Sequence, residues 1–261
     1  MKLETSDLVG FIKERQRVQL RLVKTTHLAI VVVGNEAASA SFIRAKQRYG
    51  SDIGVKVKVE QISTQTELKQ ALKRLSNDKN VTGIVLQLPL PKDFDTDTAI
   101  GLISTNKDVD GLGEQSPFEP ATTKAIVWIL ASLSINLKEA TVCVVGQGRL
   151  VGAPVSGMLE SSGTRVVRCD INTKNLASQT KLADVVISGV GQPGLIARAM
   201  LKDGAIVIDA GTAEAAGKQA GDVDPALYND PSIKVTPVPG GVGPMTAAAL
   251  FDNLLIAASK R

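Results

Sequence analysis

Histidine occurs once, as His27, and cysteine twice, as Cys143 and Cys169, in a chain of 261 residues. With so few ligands and no short spacing between the cysteines, zinc-finger, zinc-hydrolase and disulfide-scaffold classes fall away, and no metal is expected. Imidazole acid–base chemistry would have to use His27, which stands at the entry of an apolar strand and reads as structural. Aromatic residues make up 3% of the chain, too few to build stacking platforms for single strands. The 30 basic and 26 acidic side chains nearly cancel, to +4. They are scattered, so a pI of about 9.0 does not by itself signal a nucleic-acid partner. No signal-peptide run follows Met1 and no stretch of about 18 apolar residues is read anywhere. A cytoplasmic protein with neither nucleic-acid nor membrane partner is the expectation. What remains is a globular balance, 44% hydrophobic against 21% charged, which excludes wholesale disorder.

Short β-branched runs alternate with helical stretches, predicting an α/β fold with mainly parallel sheets. A first helix is expected over 6–23, with Leu8, Phe11, Ile12, Val18 and Leu22 as its apolar face. The continuous apolar run 28–33, ending at Gly34, predicts a strand buried on both faces. Ser39 is placed to cap a helix reaching about Gly50. Residues 55–62 alternate Val with Lys or Glu, as a half-exposed strand near a sheet edge would. Leu68, Leu72 and Leu75 mark a further helix, and 83–87 another buried strand. A polar, Pro-containing stretch runs from Gly111 to Pro120, followed by a helix with Ile126, Leu130 and Leu133. A second set of strands is expected at 141–145, 165–169, 185–187, 205–209 and 234–237. These put a domain boundary near residue 117, giving domains 1–117 and 118–244, with a helix over 245–261 packing back on the first.

The strand 141–145 runs directly into Gly146-Gln147-Gly148-Arg149-Leu150-Val151-Gly152. Glycines at such a turn let the backbone approach a pyrophosphate, and the helix that follows offers N–H donors and the positive end of its dipole. The spacing is one residue longer than the usual fingerprint, and Gly-rich turns also serve merely to join strands to helices. Asp170 ends the next strand, where an acidic side chain accepts hydrogen bonds from an adenosine ribose. It equally suits a turn or helix cap, and Arg149 offers a guanidinium for a 2′-phosphate instead.

In the first half, Phe42 and Lys46 share a helix face, with Tyr49 three residues on. Such a lysine is commonly a solvated charge with its stem on a ring. Gln87, however, ends a buried strand, and ligands of α/β proteins bind at the carboxyl ends of parallel strands. Asp108 and Asp110 flank Val109 just before Gly111 and place two carboxylates on one loop, either facing that region or simply solvated.

The segments Ala38-Ser39…Phe42…Lys46, Gly83-Ile84-Val85-Leu86-Gln87-Leu88-Pro89-Leu90-Pro91, Lys107-Asp108-Val109-Asp110-Gly111 and Pro237-Val238-Pro239-Gly240-Gly241-Val242-Gly243-Pro244-Met245-Thr246 resemble the bifunctional methylenetetrahydrofolate dehydrogenase/cyclohydrolase family. Gly221-Asp222-Val223-Asp224 and the helix start Val151-Gly152-Ala153-Pro154 agree, and the resemblance runs in unbroken order from about residue 28. It implies an N-terminal catalytic α/β domain and a C-terminal Rossmann-like NAD(P)-binding domain. The implied chemistry is hydride transfer from 5,10-methylenetetrahydrofolate to a nicotinamide, then hydrolysis of the methenyl product to 10-formyltetrahydrofolate. Lys46, Gln87 and Asp110 are the catalytic residues it implies: Lys46 moves the proton in hydrolysis, Gln87 holds it, and Asp110 accepts hydrogen bonds from the pterin. The same three, with Phe42, Pro239, Gly240, Gly241, Gly243 and Pro244, are the implied folate site. Gly146, Gln147, Gly148, Arg149, Gly152, Asp170, Gly191 and Thr212 are the implied dinucleotide site. The resemblance further implies a cytosolic homodimer built through the second domain.

The chain departs from the family pattern at three places. Phe42 stands where the family has a tyrosine, so a hydroxyl near Lys46 is gone and hydrolysis is expected to be weaker than hydride transfer. Tyr49 is the residue on the same helix face placed to compensate for it. The phosphate turn reads Gly146-Gln147-Gly148, and the next strand ends in Asp170-Ile171, both changes removing 2′-phosphate partners; NAD or dual use is expected over strict NADP. The family's Pro-Cys-Thr-Pro is Pro120-Ala121-Thr122-Thr123. Two other readings stand beside the bifunctional enzyme: a dehydrogenase whose cyclohydrolase is weak, and a non-catalytic folate- or nucleotide-binding protein.

Overall fold

Burial pattern and strand propensity divide the chain into two α/β units in a computed structural model that describes residues 1–23, 26–34, 39–215 and 218–261. Ala38, quoted above, lies outside the described residues. One unit holds Leu8–Ala121 and Ala247–Arg261, the other Met1–Asp7 and Thr122–Thr246.

The first unit contains most of helix α1 (Ser6–Leu20), β1 (His27–Val33), α2 (Ala40–Ile53), β2 (Lys56–Ile62), α3 (Gln65–Asn77), β3 (Gly83–Leu86) and α4 (Thr96–Gly101). The sheet is parallel in the order β2-β1-β3. The apolar run of β1 is therefore central and buried, whereas the Lys/Glu alternation of β2 occupies an edge. Val31, Val33, Ile84 and Leu86 pack one face of the sheet against Leu68, Leu72 and Leu75 of α3 and Ile100 of α4. Thr64 and Glu67 cap α3 reciprocally, satisfying donors that the first turn of a helix leaves open. Ser39 precedes α2, but its side chain makes no capping hydrogen bond, contrary to the expectation for it.

The apolar face expected of α1 is corrected. Val9, Ile12 and Gln16 are the buried residues, while Phe11, Val18 and Leu22 are exposed. The reason lies in Gln16, which replaces an apolar side chain in the core by satisfying both ends of its amide. Its Nε2 donates to the Ala248 carbonyl at 2.9 Å, and its Oε1 accepts the Tyr49 hydroxyl at 2.7 Å.

The second unit contains most of α5 (Ala121–Ser132), then β4 (Thr141–Val145), α6 (Gly152–Ser161), β5 (Arg165–Cys169), α7 (Leu176–Leu182), β6 (Val185–Ser188), β7 (Ile206–Asp209), the hairpin β8 (Ala213–Ala215) and β9 (Lys218–Ala220), and β10 (Lys234–Val235). Its sheet is parallel in the order β10-β7-β6-β4-β5. The chain leaves β4 to one side for β5 and returns to the other for β6, which makes the carboxyl ends of β4 and β6 a topological switch point. Lys2 forms a parallel bridge with Val235 and lengthens this sheet beyond β10. Helix α8 (Val242–Ser259) begins in this unit and ends in the first. It is 18 residues long with a mean hydropathy of 1.3, enough by length and composition to cross a membrane. That corrects the expectation that no such stretch exists; 67% of it is buried inside the protein, as a core helix is.

Asp209, at the end of β7, is fully buried. Burial is the main cause that pushes its carboxyl up to about 6, against the opposing N–H bonds it accepts. Because the folded-state value lies above the ordinary one, the folded state holds this proton more tightly. The group's contribution is most favourable below the ordinary carboxylate range and is lost as pH rises through about 6. Between about pH 5 and about pH 7.5 the loss is expected to be about 1 kcal/mol. Urea midpoints measured across that interval read it, and Asp209→Asn should flatten the wild-type slope by that amount.

Candidate active site

Lys46 lies in the second turn of α2, one turn after the half-buried Phe42. Gln87 follows β3, and its N–H donates to the Val31 carbonyl at 2.9 Å, so the strand pairing fixes it at the carboxyl end of the sheet. Its amide is oriented at both ends. Nε2 donates to the Leu88 carbonyl at 3.0 Å, leaving Oε1 to accept from Lys46 Nζ at 2.9 Å.

Asp110 completes the group. Its loop is tied down by Asn253 of α8, whose Nδ2 donates to the carbonyls of Val109 and Glu119, both at 2.9 Å. The Asp110 carbonyl accepts the Ala121 N–H at 3.1 Å. Its carboxylate accepts no hydrogen bond from the described residues, whereas the neighbouring Asp108 spends its own on the N–H groups of Gly113 and Leu112. Asp108 is thus a loop brace, and Asp110 the carboxylate left to meet a ligand.

Burial lowers the Lys46 amine below the ordinary lysine range, with the Asp110 charge opposing. Burial raises Asp110, opposed by Lys46 and reinforced by Asp108. Both shifts favour the neutral forms, so the cost of desolvation exceeds the attraction between them. A lysine in that condition can release and recover a proton, which a solvated one at neutral pH does not.

Tyr49 is removed from this group. Its hydroxyl donates to Gln16, its ring stacks on Phe251 with centroids 5.1 Å apart, and it is buried. Three residues beyond Lys46 on the helix, it points into the core and cannot replace the missing hydroxyl at Phe42.

In the second unit, the glycine turn 146–152 follows β4 and Gly191 follows β6, at the switch point, whereas Asp170 follows β5 and Thr212 follows β7. Gly146 has a φ of +85°, which a side chain would resist. A Cβ on Gly152 would lie 1.6 Å from the Gly146 carbonyl oxygen, so the start of α6 touches the turn backbone itself. Gly148 and Arg149 are exposed. Gln147 turns its side chain inward, donating to the Val144 carbonyl at 3.1 Å and accepting from Ser156 Oγ at 3.3 Å. Gly191 approaches the Thr212 carbonyl, which a Cβ would meet at 3.4 Å. The exposed Asp170 closes its own turn, accepting from Asn172 N at 2.9 Å and Thr173 Oγ1 at 3.3 Å. A tight glycine turn directly before a ten-residue helix fits a pyrophosphate.

Pro239, Gly240 and Gly241 form the approach to α8 in this unit, and Gly243 and Pro244 lie in the helix's first turn. The buried Thr5 hydroxyl reaches the carbonyls of Gly240 and Gly241 at 2.9 and 3.0 Å. Neither Thr5 nor Asn253 was legible as a positioning residue, although an asparagine within the apolar stretch of α8 is the signal for the latter.

Residues 5–110 match the tetrahydrofolate dehydrogenase/cyclohydrolase catalytic domain, and residues 120–261 match the NAD(P)-binding domain of the same family. The bifunctional protein FolD of Staphylococcus aureus is 37% identical over 250 residues, covering 91% of this chain and 87% of that protein. The crystal structure of the bifunctional FolD from Campylobacter jejuni superposes with a TM-score of 0.93 at 33% identity, covering 100% of this chain and 99% of that one. The Trypanosoma brucei FolD, described as complexed with NADP and an inhibitor, has a TM-score of 0.93 at 26% identity, covering 100% and 97%. The bifunctional names of these relatives do not favour a dehydrogenase-only enzyme or a non-catalytic binding protein. The chain belongs to the tetrahydrofolate dehydrogenase/cyclohydrolase family, with a catalytic and an NAD(P)-binding α/β domain.

Proposed function

We propose that this enzyme oxidises 5,10-methylenetetrahydrofolate and hydrolyses the methenyl product through Lys46, Gln87 and Asp110. The observation that carries the reading is the partly buried Lys46 amine, hydrogen-bonded to an uncharged amide and electrostatically coupled to Asp110. In hydrolysis, water adds to the methenyl carbon and the neutral Lys46 amine takes the proton released. The bond from that carbon to the ring nitrogen then breaks as the hydroxyl gives up its proton to solvent and becomes the formyl C=O on the other nitrogen, while the ring nitrogen takes up the proton held by Lys46. Gln87 orients the amine without adding the charge that would keep it an ammonium. Asp110, with its carboxylate uncommitted, accepts from the pterin's amino and ring N–H groups, while the Phe42 ring lies against the folate.

Bound nicotinamide supplies the hydride acceptor. Gly148 and the backbone of Gln147 would receive its pyrophosphate, Gly146 and Gly152 shaping the turn and the helix start beside it, with Arg149, Asp170, Gly191 and Thr212 around the remainder. The exposed Asp170 carboxylate repels a 2′-phosphate, which supports NAD or dual use. Pro239, Gly240, Gly241, Gly243 and Pro244 serve the folate. A cytosolic homodimer through β5 completes the reading, supported by the position of that strand at the sheet edge.

One spectrophotometric assay tests it. With methylenetetrahydrofolate and either cofactor, reduced dinucleotide should appear first, and methenyltetrahydrofolate should build up and then decay, more slowly than it forms because Phe42 supplies no hydroxyl beside Lys46. NAD should give a kcat/KM at least equal to that of NADP; a tenfold preference for NADP would refute the cofactor assignment, and no reduction at all the function.

A further inference from the structure

Asp209 and Asp222 are wholly buried carboxylates that belong to neither group of site residues described above. Asp209 Oδ1 accepts the N–H groups of Gly211 and Asp222, and its Oδ2 that of Val223, each at 3.0 Å. Asp222 is thereby held by its backbone and turns its own carboxylate to the end of β6. There Oδ2 accepts from Ser188 Oγ at 2.6 Å and Val190 N at 2.7 Å, and Oδ1 from Gln192 N at 2.7 Å. The surrounding backbone is cut away to admit both groups. A Cβ on Gly211 would lie 2.2 Å from the Asp222 carboxylate, and one on Gly221 would lie 2.1 Å from that of Asp209.

Two adjacent buried carboxylates are a costly way to pack a core, where apolar side chains of like volume would do as well or better. What they achieve is backbone placement on both sides of Gly191, whose φ is +79°. The braced loop then bears on the glycine turn. A Cβ on Gly146 would lie 2.9 Å from Val190 Cγ2, and one on Gly189 would lie 2.7 Å from Val151 Cγ1. A continuous series of contacts therefore runs from β7 through Asp209, Asp222 and Val190 to the turn before α6.

We propose that Asp222, oriented by Asp209, is a positioning residue for the nicotinamide dinucleotide, its carboxylate setting the 189–192 loop and the Gly146 turn in the shape that receives the cofactor. This rests on the dinucleotide reading of the second unit. The test uses the full chain and two variants, Asp222→Asn and Ser188→Ala. It compares equilibrium binding of NADH and NADPH by fluorescence, amide hydrogen exchange at Val190 and Gln192, and hydrolysis of methenyltetrahydrofolate, which consumes no nicotinamide. In Asp222→Asn one acceptor oxygen becomes an amide that faces an N–H donor, so the Kd is expected to rise about tenfold or more. Ser188→Ala removes one donor from the carboxylate and should raise the Kd about threefold. Both should speed exchange at the two amides while hydrolysis is retained. Wild-type Kd in both variants overturns the positioning role and leaves the dinucleotide reading standing. Wild-type protein that binds neither dinucleotide overturns that reading and this inference together. Parallel loss of binding and hydrolysis marks a merely structural role and also overturns it; if Asp222→Asn does not fold, Ser188→Ala decides.

Discussion

Lys46→Met is expected to lower methenyltetrahydrofolate hydrolysis by about 10²–10⁴-fold, the range over which a positioned proton-transfer group acts. Stability should not fall with it. The amine is held in a desolvated place against its own preference, and an apolar side chain of similar length removes that cost. A thermal midpoint at or above the wild-type value, together with lost hydrolysis, separates chemistry from folding. Lys46→Arg sharpens the result. A guanidinium retains the positive charge and can still reach an amide oxygen, but it does not give up its proton at any pH the protein survives. If the lysine works by exchanging a proton, arginine should be as inactive as methionine. Substantial hydrolysis by Lys46→Arg would mean that a fixed positive charge is sufficient, and the role assigned to the amine would be lost.

The roles of Lys46, Gln87 and Asp110 became readable for different reasons. Gln87 is visible in the sequence because a polar residue ends an apolar run, and strand ends in α/β sheets are where ligands bind. Lys46 by itself is indistinguishable from a surface lysine, since helix periodicity states which residues share a face but not what that face meets. Tyr49 illustrates the limit. Periodicity placed it with Lys46, but a three-residue step on a helix turns by about 60° from the starting direction, and here the difference carries Tyr49 into the core beside Phe251. Gln16 misled in the opposite sense. A buried glutamine cannot be foreseen without knowing that a carbonyl of Ala248 and the Tyr49 hydroxyl await it, so the sequence pattern of α1 runs through Leu8, Phe11, Ile12, Val18 and Leu22, of which Ile12 is the one the core buries. The strand pattern of both sheets was legible because continuous Val/Ile runs and Lys/Val alternation are direct records of burial on two faces or one. The two-carboxylate brace was not, because Asp209 and Asp222 are far apart in the chain and resemble ordinary turn aspartates until their six donors are located.

Gly152→Ala is expected to be the most damaging of the conservative changes in the second unit, and Gly148→Ala one of the mildest for folding. Both alter the same glycine motif by one methyl group. At Gly152 that methyl would stand 1.6 Å from the Gly146 carbonyl oxygen, 2.7 Å from its carbon and 3.1 Å from Gln147 Cα, all of them backbone atoms. No rotamer change relieves such a contact, so α6 must move away from the turn at a cost of about 3 kcal/mol or more, the upper part of the overpacking range. That corresponds to a thermal midpoint lower by roughly 6–12 °C in a domain of this size. A Cβ on Gly148 meets nothing within 4 Å, and its stability change should stay within about 0.5 kcal/mol. Its effect should appear only when the dinucleotide is present. If the pyrophosphate lies against the exposed Gly148 backbone, the added methyl intrudes on the ligand, raising the KM for NAD(P) while leaving both the thermal midpoint and methenyl hydrolysis unchanged. The two variants thus divide one motif into a glycine required by helix packing and a glycine required by the cofactor. An unchanged cofactor KM in Gly148→Ala would place the pyrophosphate elsewhere, and a wild-type midpoint in Gly152→Ala would contradict the close contact between α6 and the turn.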